Sequence, residues 1–151
     1  TTMWIHGQFR SAVGVMIGYH CLLRPSELCR LRRADLLLSC DTAGAEWSGV
    51  LAIGQSKTMG RSARLQSVVI LDVPLLRLLT WLVGDDRPTR LLVPGGLIRL
   101  NQLFDNVRRQ LQIPQGMFTL GGLRAGGAVD FLRATNDPHS LQYRGRWESA
   151  R

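Results

Sequence analysis

Residues 22–36, LLRPSELCRLRRADL, interrupt a chain of otherwise regular amphipathic segments and decide how it is organised. Pro25 disfavours helical geometry at the residue before it, and Ser26 is a good N-cap. A short helix is therefore predicted from Ser26 through Leu28 and Leu31. Arg24 is expected at a break between two helices, not on a regular helical face.

Apolar residues at helical spacing predict longer helices on both sides of this break. The predicted segments are residues 8–21, 74–83, 98–111, 123–134 and a short one at 139–143. In the segment 98–111, the residues expected to face the core are Leu100, Leu103, Phe104, Val107 and Leu111.

Three short runs rich in apolar and β-branched residues predict strands, at residues 36–38, 49–53 and 66–71. Residues 54–63 would be the polar connector of a hairpin. The pattern predicts an α+β domain that is mainly helical with a small three-stranded antiparallel sheet. At 151 residues the chain is expected to form one domain, residues 1–151.

The composition is strongly basic, with 19 Lys and Arg against 11 Asp and Glu and a formal charge of +8. Such an excess favours a polyanionic partner, and nucleic acid is the first candidate. A solvated basic surface without a partner is the alternative that charge alone leaves open.

The three cysteines, Cys21, Cys29 and Cys40, show no CxxC pairing and lie in or beside apolar segments, which indicates reduced thiols in an intracellular protein. A zinc site from His20, Cys21 and Cys29 lacks ligand spacing and a clear fourth ligand. No apolar run approaches the roughly 20 residues that span a bilayer, so no membrane partner is expected.

Lys57 is the one lysine among the 19 basic residues, and it falls in the predicted hairpin connector. An ammonium can give up its proton, whereas a guanidinium stays charged under almost any condition. Lys57 could therefore act as a general acid where Arg24 and Arg124 could only bind an anion. A compositional bias toward arginine explains the counts equally well, although not the placement of Lys57.

Four motifs follow one another in the chain. They are LLRPSELCRLRRADL at 22–36, IGQSKTMGRSARLQSVVIL at 53–71, TLGGLRAGGAVDFLRATND at 119–137 and LQYRGRW at 141–147. In this order they resemble the catalytic domain of the tyrosine recombinases, the phage-integrase-like DNA breaking-rejoining enzymes. The resemblance covers nearly the whole chain.

The resemblance implies catalytic roles for four residues. Arg24 and Arg124 match the two catalytic arginines, and Lys57 matches the hairpin lysine that protonates the leaving 5′ oxygen. Trp147 matches the position that hydrogen-bonds a phosphate oxygen. Two acidic positions are implied as supports that orient the first arginine and the local backbone, namely Glu27 and Asp35.

Two departures from the family pattern stand out. Gly121 occupies the usual histidine position, and glycine can neither accept a proton nor bind a phosphate oxygen. In the family pattern the nucleophilic tyrosine is expected about nine residues past Trp147. Only four residues follow Trp147 here. Neither Tyr19 nor Tyr143 falls on that position. The chain is therefore expected to be a fragment without the tyrosine segment and without a separate N-terminal DNA-binding domain.

The function implied is site-specific recombination or integration on double-stranded DNA, with no metal or organic cofactor. The resemblance also implies a homotetramer on paired sites in the full-length protein, in the nucleus or nucleoid. Two alternatives stay open: a catalytically degenerate DNA-binding module, and a basic helical adaptor that uses an arginine face such as Arg30, Arg32 and Arg33.

Overall fold

The computed structural model describes Met3 and residues 7–38, 48–54 and 66–147. Two predictions fall on residues outside these ranges, namely the position of Lys57 with most of its hairpin connector and the burial of Cys40. The fold and the remaining candidate residues lie within them.

Six α-helices and one three-stranded sheet make up the described part of the chain. The helices are α1 (Phe9–His20), α2 (Pro25–Leu28), α3 (Val73–Val83), α4 (Gly96–Gln110), α5 (Leu120–Thr135) and α6 (Pro138–Gly145). A 3₁₀ turn, Arg33–Asp35, leads into the strands β1 (Leu36–Leu38), β2 (Gly49–Ile53) and β3 (Gln66–Ile70).

The sheet is antiparallel in the order β1-β2-β3, and Leu51 at its centre pairs with Leu36 on one side and Val68 on the other. Because side chains alternate across a strand, one face carries the buried residues. These are Leu36, Leu38, Leu51, Ile53, Val68 and Ile70. Leu37 and Val69 point to the opposite, exposed face. The expected mainly helical α+β domain with a small three-stranded sheet is confirmed.

The core joins this sheet to α1 and α3. Val13 and Ile17 of α1 pack with Leu75 and Leu79 of α3 in one continuous apolar cluster that also includes the buried sheet face. At the N-terminus of α3 the Asp72 carboxylate accepts a hydrogen bond of 2.7 Å from the backbone N–H of Leu75, which satisfies a donor that would otherwise lack an intrahelical partner.

Helix α5 packs against the C-terminal end of α1 at glycines. A Cβ atom on Gly127 would lie 2.1 Å from the carbonyl oxygen of Tyr19 and 2.9 Å from Cδ2 of Leu22. The two backbones can approach this closely only because residue 127 has no side chain. This contact brings the first turns of α5 beside the segment that follows α1.

The chain leaves α1 through a strained turn. Leu22 has a φ of +52°, and the N–H of Leu23 bonds to the carbonyl of Gly18, as in a Schellman motif. Glycine normally occupies the left-handed position of that motif, whereas Leu22 is fully buried in the core. Its packing therefore offsets a backbone cost of about 1–2 kcal/mol.

Four predicted segments match the structure closely. The strands at 36–38 and 49–53 are reproduced, and the helices predicted at 8–21 and 74–83 appear as α1 and α3. The third strand ends at Ile70, one residue before the predicted end.

The start of α2 differs from the prediction. The helix begins at Pro25 with Arg24 as its N-cap, and it ends at Leu28. The fixed φ of proline suits the first helical turn, and the Glu27 carboxylate accepts the Arg24 backbone N–H at 2.8 Å. Ser26, predicted to be the N-cap, lies inside the helix and is exposed. Leu31 falls beyond its end.

The C-terminal helices also differ in detail. In α4 only Leu100 is fully buried, and Leu111, expected to face the core, follows the helix and is 55% exposed. Helix α5 begins at Leu120, three residues before the predicted start, because the Thr119 hydroxyl accepts the N–H of Gly122 at 3.1 Å and caps it. The predicted segment 139–143 lies within α6.

The described residues contain neither a membrane-spanning helix nor a cluster of metal-binding side chains. No helix among them has the length and apolarity to cross a membrane. No group of three or more His, Cys, Asp or Glu side chains in that part of the chain could hold a metal ion. Cys21 is buried, and burial raises the pKa of its thiol to about 12.

We expect Gly127→Ala to lower the free energy of unfolding by about 1–3 kcal/mol or more, because its methyl group would force α5 away from α1. Urea unfolding followed by circular dichroism measures the change. Gly121→Ala is the matched control, since a Cβ there meets only the Thr119 hydroxyl at 3.7 Å. Equal stability of the two variants would contradict the close approach.

Candidate functional site

Arg24 lies where the sequence places it, between α1 and α2. Its backbone is extended, with φ −71° and ψ 146°, because Pro25 follows it. The side chain is 37% exposed, so the guanidinium reaches toward solvent at this break. Its Nη1 donates a long hydrogen bond of 3.3 Å to Oε1 of Glu27.

Glu27 is the buried acceptor at the centre of the site, with a side chain only 3% exposed. Its Oε2 accepts the Arg24 backbone N–H at 2.8 Å and the Arg146 Nη2 at 2.8 Å. The carboxylate therefore joins the turn after α1 to the end of α6. That Glu27 orients the first arginine and the local backbone stays a prediction.

Arg146 approaches Glu27 from the far end of the chain. It ends α6 in the left-handed conformation with φ +55°, and its side chain is 7% exposed. Nη2 also lies 3.5 Å from the carbonyl oxygen of Leu22. Burial is the largest cause that lowers the pKa of Arg146, and the Glu27 carboxylate opposes it.

Arg124 lies in the second turn of α5 and is half-buried. Its Nη2 donates a hydrogen bond of 2.5 Å to the carbonyl oxygen of Gly145, which ties α5 to α6. Desolvation lowers the pKa of Arg124 most, followed by the positive charges of Arg24 and Arg146, while Glu27 raises it. Arg24 and Arg146 share the Glu27 carboxylate, and Arg124 binds the carbonyl of Gly145 next to Arg146. We call Arg24, Arg124 and Arg146 the arginine cluster.

Trp147 stands beside this cluster. The Arg124 guanidinium carbon lies 5.5 Å from the centre of the Trp147 ring, within cation–π range. A Cβ on Gly145 would come within 2.8 Å of the indole. The absence of a side chain at Gly145 therefore lets the ring pack under Arg124.

The arginine cluster carries an excess of positive charge within the described part of the chain. Its three guanidinium groups are matched there by one buried carboxylate, that of Glu27, which is bonded to Arg24 and Arg146. A planar guanidinium donates paired hydrogen bonds that match carboxylate and phosphate oxygens. The arrangement is therefore suited to bind an anion supplied from outside.

The remaining predicted residues are placed as follows. Asp35 accepts the backbone N–H of Arg32 at 2.8 Å and thus fixes the local backbone of the 3₁₀ turn. Gly121 is exposed in the first turn of α5, three residues before Arg124 and so on the same helical side. Lys57 lies outside the described residues.

The two tyrosines have no place in the cluster's hydrogen bonds. Tyr143 is 86% exposed on α6, so it lies on the surface and not in the core. The Tyr19 hydroxyl is bonded to the Asp130 carboxylate, and this bond raises the pKa of Tyr19.

A cavity of about 390 Å³ lies between α2 and the end of β2, and Glu27 is part of its lining. The lining also includes Cys29, Arg30, Arg32 and Asp35. The charged side chains there make the cavity polar.

Sequence reasoning missed Arg146 as a member of the site. It belongs to the run RGRW that was quoted for Trp147, but nothing in its spacing separates it from Arg144 two residues earlier. Arg144 binds the carbonyl of His20 and stacks on Phe131 instead. The distinction depends on the helix end, since Arg146 alone has the left-handed backbone that turns it toward Glu27.

Comparisons with known proteins show a similarity of fold. No protein-family model and no curated protein matches the chain. A solved structure of the XerH site-specific recombinase bound to difH substrate, a pre-cleavage complex, superposes with a TM-score of 0.69 at 16% identity. The two chains share a fold. The superposition covers 93% of this chain and 40% of the XerH chain, so this chain spans less than half of XerH.

We expect millimolar sulfate to raise the melting temperature of the chain above that in sodium chloride of equal ionic strength, because a bound anion stabilises the folded state by mass action. Each kcal/mol would raise the melting temperature by about 2–4 °C. Differential scanning fluorimetry measures the shift. Arg124→Met should abolish most of it, and Arg99→Met, the same change on the exposed part of α4, should not. Equal shifts in both variants would contradict an anion site at the cluster.

Proposed function

We propose that this chain is the catalytic part of a DNA breaking-rejoining protein that acts on a DNA phosphodiester. The observation that carries the proposal is that Arg24 and Arg124, from motifs far apart in the chain, belong to one cluster. Arg24 shares the Glu27 carboxylate with Arg146, and Arg124 binds the carbonyl of Gly145 next to Arg146. The shared fold with a recombinase solved on its DNA substrate supports it, and so does the net charge of +8.

In this proposal the two arginines bind the non-bridging oxygens of the scissile phosphate. Negative charge grows on these oxygens as the phosphorus is attacked, and donors already in place stabilise that charge without reorganisation. The Arg124–Gly145 hydrogen bond and the Arg24–Glu27 contact fix the positions of the two guanidinium groups.

The remaining steps use Trp147, Lys57 and a tyrosine. The Trp147 indole N–H is proposed to donate to a phosphate oxygen while its ring packs under Arg124. A tyrosine hydroxyl, from a residue other than Tyr19 and Tyr143, attacks the phosphorus and forms a phosphotyrosine bond. The bond to the 5′ oxygen breaks, and Lys57 gives that oxygen a proton. Tetramer formation and location in the nucleus or nucleoid stay predictions.

A second candidate function, binding DNA without cutting it, is favoured by one observation. Gly121 leaves an open, exposed position beside Arg124 where the resembled family has a histidine. Without a histidine at residue 121, one group that could accept the proton of the nucleophile is missing. The same arginine cluster would then bind a phosphate and perform no chemistry on it.

We expect a covalent protein–DNA adduct when the protein, with any residues that its gene encodes after Arg151, is incubated with duplex DNA from the flanks of that gene. Arg24→Met and Arg124→Met should each slow adduct formation by roughly 10²–10³-fold, because each removes one preorganised donor. Denaturing gel electrophoresis before and after protease treatment measures the adduct.

The control for this experiment is Arg99→Met, which should keep the rate of the unsubstituted protein. Lys57→Ala should slow adduct formation on ordinary DNA, and an unchanged rate would remove Lys57 from the mechanism. Salt-dependent duplex binding without any adduct would favour the second candidate function.

We expect Gly121→His to fold normally and to accelerate adduct formation at least tenfold, because a proton acceptor would be placed beside Arg124. A Cβ at residue 121 meets only the Thr119 hydroxyl, at 3.7 Å, so its effect on the free energy of unfolding should stay within about 0.5 kcal/mol. Gly122→His places the same ring on a different side of α5 and is the matched control. Acceleration by both variants would contradict a position-specific role.

A further inference from the structure

The Glu27 carboxylate has two cationic partners that it holds unequally. Arg146 Nη2 lies 2.8 Å from Oε2, whereas Arg24 Nη1 lies 3.3 Å from Oε1. The Arg146 side chain is 7% exposed and that of Arg24 is 37% exposed. The shorter and drier contact is the stronger one, because water screens the exposed charge. Glu27 is therefore neutralised chiefly by Arg146.

The second observation is the poor hydrogen bonding of Arg146 itself. Its Nη1 is buried and has no partner within the part of the chain that the structure describes. A buried donor without a partner costs free energy, and an apolar side chain at this position would avoid that cost. Stability alone therefore does not explain why residue 146 is an arginine. The positive charge that it places beside Glu27 does explain it.

We propose that Arg146 is a positioning residue that neutralises Glu27 and thereby leaves the guanidinium of Arg24 available to an external anion. That this anion is a DNA phosphodiester rests on the proposed function. Without Arg146, Arg24 would be the one described cationic side chain bonded to the buried carboxylate, and an unpaired buried carboxylate attracts such a partner strongly. Arg24 would then close onto Glu27 and turn away from the anion.

Four variants separate this role from simple loss of structure. Arg146→Met removes the charge and keeps an unbranched side chain at the left-handed position. Glu27→Gln keeps an oxygen that can accept the Arg24 backbone N–H. The third variant combines both changes. It removes one carboxylate and one guanidinium, so the net charge of the site is the same as in the unsubstituted protein. Arg144→Met is the matched control, because Arg144 lies on the same helix and binds His20 and Phe131, not Glu27.

The first measurement needs no DNA. Nitrogen-15 NMR of the arginine side chains reports how fast the guanidinium protons of Arg24 exchange with water. Arg146→Met should slow this exchange several-fold, because Arg24 becomes fixed on Glu27. The double variant and Arg144→Met should leave it near the original rate. Unchanged exchange in folded Arg146→Met would overturn the proposal, whatever the protein binds.

The second measurement is the affinity for duplex DNA at fixed salt, by fluorescence anisotropy. Arg146→Met should weaken binding by about tenfold, the effect of one ion pair lost near the surface. Adding Glu27→Gln should recover most of that affinity. Failure of the double variant to recover would overturn the proposal and would indicate that Arg146 binds the anion itself. If the unsubstituted chain does not bind DNA, the proposed function fails, and the NMR result still decides the role of Arg146.

Discussion

The buried Glu27 carboxylate is the group on which the site depends. A carboxylate with a side chain 3% exposed must be paired, since an isolated buried charge is among the most costly groups a fold can contain. Its two oxygens accept the Arg24 backbone N–H, the Arg24 guanidinium and the Arg146 guanidinium. One side chain thus fixes the start of α2, the direction of Arg24 and the end of α6.

Close packing of α5 on α1 provides the other half of the geometry. Gly127 lets the two helices touch at the Tyr19 carbonyl, and the buried Leu22 turns the chain directly after that contact. Arg124, one helical turn before Gly127, is carried to the same place as Arg24. The strained backbone at Leu22 and the glycines of α5 are both unfavourable locally, but together they bring Arg24 and Arg124 close to each other. Locally unfavourable choices of this kind concentrate at functional sites.

The fold could be predicted from sequence largely because its elements have clear periods. The alternation in β2 and β3 and the helical spacing in α1 and α3 give strong signals that need no tertiary information. The start of α2 could not be predicted from Ser26, since the acceptor that fixes it is the side chain of Glu27. Leu111 was placed wrongly because the helical period continues past the residue at which α4 ends.

The site could be predicted only in part, for a physical reason. Arg24, Arg124 and Trp147 stand in recognisable motifs, and the structure brings them into one neighbourhood. Arg146 does not stand in a recognisable motif. Its position depends on its left-handed backbone and on Glu27, which is more than a hundred residues away in the sequence. Charge pairing across that separation is a property of the folded chain.

The balance of charge at the arginine cluster also constrains how the free protein behaves. Arg24 and Arg146 both lower the pKa of Arg124, so the three guanidinium groups repel one another when no anion is bound. A protein selected for stability alone would reduce that repulsion with a second carboxylate. A second carboxylate would, however, neutralise the positive charge that attracts an anion. Glu27 would neutralise Arg24 in the same way if Arg146 were absent. Among the described residues this charge is unmatched, and such an excess of positive charge attracts anions at some cost in stability.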